Sequence, residues 1–281
     1  MKHFLIHIFF ISFFLSCSSD SEQSVSPRNT EITPVNDSNN YEFEGKWILT
    51  EYIDSIIIDK SISKHRMKEL SWTAIVLDIS DSLIKSYGSI MKPIDTIRNL
   101  KSDTLGILNH WGTKWQLSYN RDNSRLEAVN LDSLNEKYTF RRMTDDENKI
   151  IKIDTTDHFQ IRNGLTNYFT QNIFTGKYID ILNNDTIVFH SDGSITGSRK
   201  YISFKPNIYF GTSHPFRNKD VIYLYNNDSI ISYLNWKYSD RFITFTYFSR
   251  KRNEDSFDLT NKSFKYQTIT APNTGLAIKP Q

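Results

Sequence analysis

The chain has a single cysteine, Cys17, in 281 residues. An internal disulfide is therefore excluded. Neither sign of charge prevails, with 34 Lys and Arg against 32 Asp and Glu, so no strong electrostatic field is expected. A nucleic-acid protein would carry a basic stripe. The basic runs here are Arg141-Arg142 and Arg250 to Arg252, short enough to be solvated surface, and no nucleic-acid partner is expected. Glycine is scarce at 10 residues, and neither a G-x-S-x-G elbow nor a phosphate-cradling glycine loop occurs. Beyond the first 15 residues no apolar run approaches the ~20 needed to cross a bilayer as a helix. What the chain does have is aromatic side chains, 15 Tyr and 19 Phe among them.

The apolar start is short. Lys2 and His3 precede "FLIHIFFISFFL", Phe4 to Leu15, and then Ser16 and Cys17 follow. About 12 apolar residues after a basic start have the length of a signal-peptide core. A lone thiol directly behind such a segment has one evident use, as an attachment point. The stretch "FLSC" resembles the lipobox of bacterial lipoprotein signals, with Phe14 where leucine is usual. That resemblance implies removal of residues 1–16 and acylation of Cys17, palmitate included. One acyl chain holds a membrane only marginally and two or more anchor stably. Residues 17–40 are rich in Ser, Asn, Thr, Asp, Glu and Pro, and cannot bury enough surface to offset their ordering entropy. They read as a flexible tether. Asp20 and Glu22 resemble the acidic export signals of Bacteroidetes surface lipoproteins. The expected location is the cell envelope, at the outer membrane, facing the periplasm or the outside.

The remainder contains two halves that echo each other. "FEGKWILTEYIDS" from Phe43 parallels "FTGKYIDILNNDT" from Phe174. "TAIVLDISDSLIKSYGSIMKPID" from Thr73 can be laid on "DTIVFHSDGSITGSRKYISFKPN" from Asp185, matching Ile75 with Ile187, Val76 with Val188, and Lys92-Pro93 with Lys205-Pro206. "EKYTFRRM" from Glu136 faces "SFKYQTI" from Ser263. Three matches in one order predict an internal repeat, with domains at 41–143 and 173–270, a linker at 144–172 and a tail at 271–281.

Both halves read as β-structure. "FITFTYF", Phe242 to Phe248, is rich in β-branched and aromatic residues. Asp192-Gly193, Asn226 to Asp228 and Asn120 to Ser124 supply turns between strands. The expected fold is mainly β: two tandem small antiparallel β-barrels. One helix is expected near the linker, where Ile161, Leu165, Tyr168 and Phe169 recur at helical spacing after Asp157. Gly164 argues against it, and an extra strand is the alternative.

Phe43-Glu44-Gly45-Lys46-Trp47 resembles the G-x-W opening of lipocalin-type barrels. The resemblance implies that the indole closes one barrel end beneath an arginine of the last strand, here Arg141 or Arg142. The second copy resembles Bacteroidetes lipocalin-like lipoprotein domains through "IVFHSDGSITGSRKYISF", but it has Tyr178 for Trp, and Lys265 stands near the arginine position.

Chemistry is sparse. His3, His7, His65, His110, His158, His190 and His214 show no metal-ligand spacing. Asp145-Asp146 falls in a polar linker. "NHWGTKW", Asn109 to Trp115, is a candidate aromatic platform for a sugar, or else a turn before a core strand. No catalytic, metal or cofactor residue is assigned, and the chain is expected not to be an enzyme. Two functions follow. One is a lipid-anchored protein binding a small apolar or amphipathic ligand in a barrel mouth. The other is a surface protein with packed barrels that binds an envelope protein or a glycan. Replacing Cys17 with Ser should release the protein from membranes, read by fractionation; undiminished membrane retention would sink the lipoprotein assignment.

Overall fold

The computed structural model describes residues 43–65, 74–80, 83–88, 94–101, 104–108, 114–133, 136–153, 158–208, 216, 218–227, 229–250 and 257–270. Cys17, the segment before it and the tether to residue 40 lie outside these, as do Lys92-Pro93, Asn109 to Gly112, Asp157, His214 and the tail from residue 271. The fold is mainly β, in two antiparallel sheets of eight strands each.

The first sheet is a closed up-and-down barrel. Its strands are β1 (Gly45–Leu49), β2 (Ala74–Ser80), β3 (Leu83–Gly88), β4 (Ile94–Lys101), β5 (Thr104–Leu108), β6 (Lys114–Asn120), β7 (Arg125–Asn130) and β8 (Lys137–Arg142). β8 returns to β1 with Trp47 opposite Arg142. Burial alternates along β7, where Leu126, Ala128 and Asn130 are inside. Trp47, Trp115, Leu117 and Phe140 share that interior and are fully buried.

A helix after β1 was not foreseen: α1 (Thr50–Asp59) follows directly from Leu49. The run Ser55 to Ile58 has β-branched, strand-like chemistry. The wider spacing of Tyr52, Ile53, Ile56 and Ile57 is helical, and all four are buried along one face. The helix ends at Lys60, whose left-handed backbone (φ 51°) directs its N–H to the Ile56 carbonyl.

Residues 144–172, taken in sequence as a linker, hold α2 (Asp145–Ile151) and α3 (His158–Phe169), then a π turn at Thr170–Phe174. Ile161, Leu165, Tyr168 and Phe169 are all buried, as their spacing required. Gly164 has a packing reason. A Cβ there would lie 2.2 Å from the Ile151 carbonyl oxygen, so the glycine lets the end of α2 press against α3.

The second sheet comprises β9 (Gly176–Asp180), β10 (Thr186–Phe189), β11 (Ile195–Thr196), β12 (Ser203–Pro206), β13 (Val221–Asn226), β14 (Ser229–Ser239), β15 (Phe242–Arg250) and β16 (Phe257–Thr270). β16 pairs back to β9. The two ends, β11 and β12, meet through the bridge Ser194–Ser203 and the bonds Ile195 N to Ile202 O and Phe204 N to Gly193 O, both 2.8 Å. This barrel is therefore nearly closed, with the same meander order as the first. The Asp192-Gly193 turn is as expected, with Gly193 at φ 82° and its N–H bonded to the His190 carbonyl. The register corrects one detail of the alignment of the two halves. Trp47 lies opposite Leu77 and Tyr178 opposite Ile187, so the counterpart of Ile187 is Leu77 and not Ile75.

The helices tie these pieces together through charge. Ile48 and Val76 face away from the barrel interior and are still wholly buried, so this outer wall is covered. Arg141 lies on the same outer face. Its guanidinium binds Asp54 of α1 (Nη2 to Oδ1, 2.7 Å) and Glu147 of α2 (Nη2 to Oε1, 2.7 Å). Tyr168 of α3 donates to the same Glu147 at 2.6 Å. Glu147 also closes a capping box with Thr144 at the start of α2. Burial opposes its ionisation, but Arg141, the Thr144 N–H and the Tyr168 hydroxyl outweigh it and hold the carboxyl below its ordinary range.

A second set of contacts joins α1 to the second barrel. Asp220 accepts from Ser61 Oγ and from the Ser63 N–H, each at 2.6 Å. The Trp236 indole N–H donates to the Lys60 carbonyl at 3.0 Å.

Arg141→Met should lower unfolding free energy by ~3–5 kcal/mol in urea titrations, because two carboxylates lose their partner in a covered site. Since the folded Glu147 carboxyl is depressed, its contribution is present above the ordinary carboxylate range and is lost as pH falls through the folded value. Stability should therefore drop on acidification, and Glu147→Gln should flatten that limb of the pH profile.

Candidate functional site

The two ends of the second barrel differ. One is sealed by the π turn. The Tyr238 hydroxyl donates to the Ile173 carbonyl and the Tyr178 hydroxyl to the Phe174 carbonyl, both at 2.7 Å. These carbonyls end a helical segment and would otherwise lack partners. Burial and the facing tyrosine raise the Tyr238 phenol well above its ordinary value, so it stays a neutral donor. From this seal an aromatic column runs up the interior. Phe174 packs on Trp236 (4.9 Å) and Phe204 (5.5 Å), Phe204 on Phe189 (4.9 Å), and Phe189 on Phe245 (6.1 Å). Phe245 stacks on Phe264 (5.3 Å), which meets Tyr247 and Tyr266 (5.8 and 5.5 Å).

Above Phe264 the column stops and a cavity of about 360 Å³ opens. Its floor is Ile187, Phe264, Tyr266 and Tyr247. One side is the β9–β10 turn, with Asp180, Asn183 and Asp185. The other is the segment Gly197 to Tyr201, which leaves β11 and crosses toward β14 and β15. The Tyr201 hydroxyl lies 3.4 Å from that of Tyr247 and 3.3 Å from Ser232 Oγ. Ser198 Oγ accepts the Tyr201 N–H at 3.0 Å and folds the segment inward. Gly197 permits its start. At φ 83°, a Cβ there would fall 2.1 Å from the Thr186 carbonyl oxygen of β10.

The cavity is chemically mixed. Lys200 Nζ stands 5.1 Å from the Tyr201 ring and 5.9 Å from that of Tyr247. Asp180 is opposite Tyr266 in the strand register. Burial and then the Asp180 charge push the Tyr266 phenol up to about 12. Burial and the Tyr201 hydroxyl raise that of Tyr247. The Tyr266 and Tyr247 phenols are thereby neutral donors and acceptors near neutral pH. The arrangement can hold a flat or amphipathic body on the aromatic floor and polar groups at the rim.

Residues singled out in the sequence fall elsewhere. Arg142 takes the expected place over the Trp47 indole, at 4.5 Å, and donates to the Glu44 carbonyl at 2.6 Å. Gly45 makes room for it, since a Cβ there would meet Arg142 Nη1 at 2.5 Å. The neighbouring Arg141 points outward to the helices. In the second barrel no cation among the described residues covers Tyr178, whose hydroxyl meets that of Tyr238 at 3.0 Å. Lys265 lies 4.0 Å over the Phe242 ring. Trp115 is buried against Tyr138 in the first barrel, which makes it a core residue and not an exposed platform. Asp145 and Asp146 are exposed in the first turn of α2. His65 pairs with Asp59, and His190 meets Thr196 Oγ1 at 2.9 Å. Among the described residues no cluster of His, Cys, Asp and Glu could hold a metal ion.

No residue of the cavity was picked from the sequence. The signal available was faint: three aromatics alternate inward at Phe245, Tyr247 and, on the neighbouring strand, Phe264, and "GSRKY" places cations beside a tyrosine. No family model, curated protein or solved structure matches the chain.

Gly197→Ala should cost ~1–3 kcal/mol in urea unfolding, the range for a strained backbone position. An unchanged midpoint would mean that the segment can retreat from β10 without loss.

Proposed function

We propose that this protein is a lipid-anchored lipoprotein of the cell envelope, with tandem lipocalin-like domains, whose second barrel binds a small amphipathic ligand in its mouth. The observation that carries this reading is the aromatic-floored cavity of about 360 Å³ at the end of that barrel away from the π turn. Its size lies within the range of small-molecule sites, ~300–1,000 Å³. Its lining combines four large aromatic or aliphatic floor residues with acids, cations and hydroxyls, which favours an amphipathic ligand over a wholly apolar one. The first barrel serves as scaffold, consistent with its buried indoles and leucines. Membrane attachment rests on Cys17 behind the apolar segment Phe4 to Leu15. The lipocalin likeness rests on the G-x-W opening with its arginine-covered indole, and the internal repeat on the shared strand order. The proposed role is binding and not catalysis.

A specific observation favours the alternative, a protein or glycan partner on the outer surface. Phe216, Tyr233, Phe248 and Phe257 form an aromatic cluster, with Tyr233 40% exposed. The two readings separate by mutation. Saturable binding of the neutral dye N-phenyl-1-naphthylamine, followed by fluorescence, should weaken at least about tenfold in Tyr266→Ala and stay unchanged in Tyr233→Ala. Circular dichroism confirms the fold of each variant. The reverse pattern would move the site to the outer surface.

A further inference from the structure

The cavity lining carries acids and cations that form no ion pair with one another among the described residues. On one side Asp180 and Asp185 stand on the β9–β10 turn. Asp180 is engaged locally, accepting the Leu182 N–H at 2.8 Å and Asn183 Nδ2 at 3.1 Å. Asp185 lies on the same rim, and its carboxylate enters no ion pair among the described residues. On the other side Arg199 and Lys200 stand on the crossing segment, and neither is ion-paired among the described residues. The aromatic floor offers stacking and phenol hydroxyls.

An anion bound at Lys200 would share the cavity with the acids, and a cation bound at Asp185 would share it with Arg199 and Lys200. Like charges brought together in a confined site disfavour either ligand. A ligand carrying both charges meets attraction at each end. We propose that the mouth of the second barrel selects a zwitterion, whose ammonium faces Asp185, whose carboxylate faces Lys200 and Arg199, and whose flat apolar part rests on Tyr266 and Phe264. Short peptides and amphipathic amino acids have this chemistry. The inference rests on the reading that the mouth is a ligand site.

The test uses the full mature chain and the dipeptide Gly-Phe in four forms: free, N-acetylated, C-amidated and blocked at both ends. Calorimetric titration should find the free dipeptide tightest, with each block weakening binding about tenfold, the scale of one lost charge-assisted hydrogen bond. Asp185→Asn should abolish the effect of acetylation only. The pair Arg199→Gln and Lys200→Gln should abolish the effect of amidation only. Both sites are exposed rim positions, and the variants should keep the parent unfolding midpoint. Equal binding of all four forms, or tighter binding of a singly blocked form, would overturn the selection of a zwitterion and leave the ligand site standing. Binding of the naphthalene dye with no dipeptide binding would do the same. Failure of the dye and of every dipeptide form would overturn the ligand site itself.

Discussion

The arrangement of the molecule depends on Arg141. A strand turns successive side chains to opposite faces, so Arg142 enters the first barrel and covers Trp47, while Arg141 emerges on the outside. There one guanidinium gathers three helices: Asp54 of α1, Glu147 of α2 and, through Glu147, Tyr168 of α3. Removing these charges from water is costly, and the cost is offset only because the fork of the guanidinium meets two carboxylates at once. The same Glu147 caps α2. Helix position and barrel closure are thus set by adjacent residues of one strand.

From that hub the order passes to the second barrel by two routes. The end of α1 supplies the Lys60 carbonyl to Trp236 and the Ser61 and Ser63 donors to Asp220. The end of α3 continues into the π turn, whose last carbonyls are bound by Tyr178 and Tyr238. The π turn plugs one end of the barrel and fills its lower interior with aromatic rings. Among the described residues the far end has no such plug. There the aromatic column gives way to the cavity, walled by a turn on one side and a glycine-started segment on the other.

Some of this was legible in the residues. The burial stripe of α3 and the Asp192-Gly193 hairpin follow from local rules of spacing and turn chemistry, while the cover of Trp47 by an arginine of the last strand was implied only by the resemblance its G-x-W motif carries. Other features were not. The isoleucine run of α1 has strand-like chemistry at short range, and only burial against the barrel wall decides for a helix. Gly164 reads as a helix breaker until the Ile151 carbonyl is seen against it. The two halves do share a strand order, but the β2/β10 alignment by residue likeness was two residues out, because strand pairing sets the correspondence.

The sequence by itself determined that the chain is mainly β, where its tight turns fall, and that a lone cysteine follows a short apolar segment. These are statements about neighbours along the chain, and periodicity and turn preference are enough to make them. Only the tertiary structure decided that Arg141 clasps helices while Arg142 covers an indole, and that Asp180, Lys200, Tyr247 and Tyr266 share one cavity. Those four come from β9, a connecting segment, β15 and β16. Residues so far apart in sequence meet only once strand register and barrel closure are set, and no local pattern encodes which charges will then face each other.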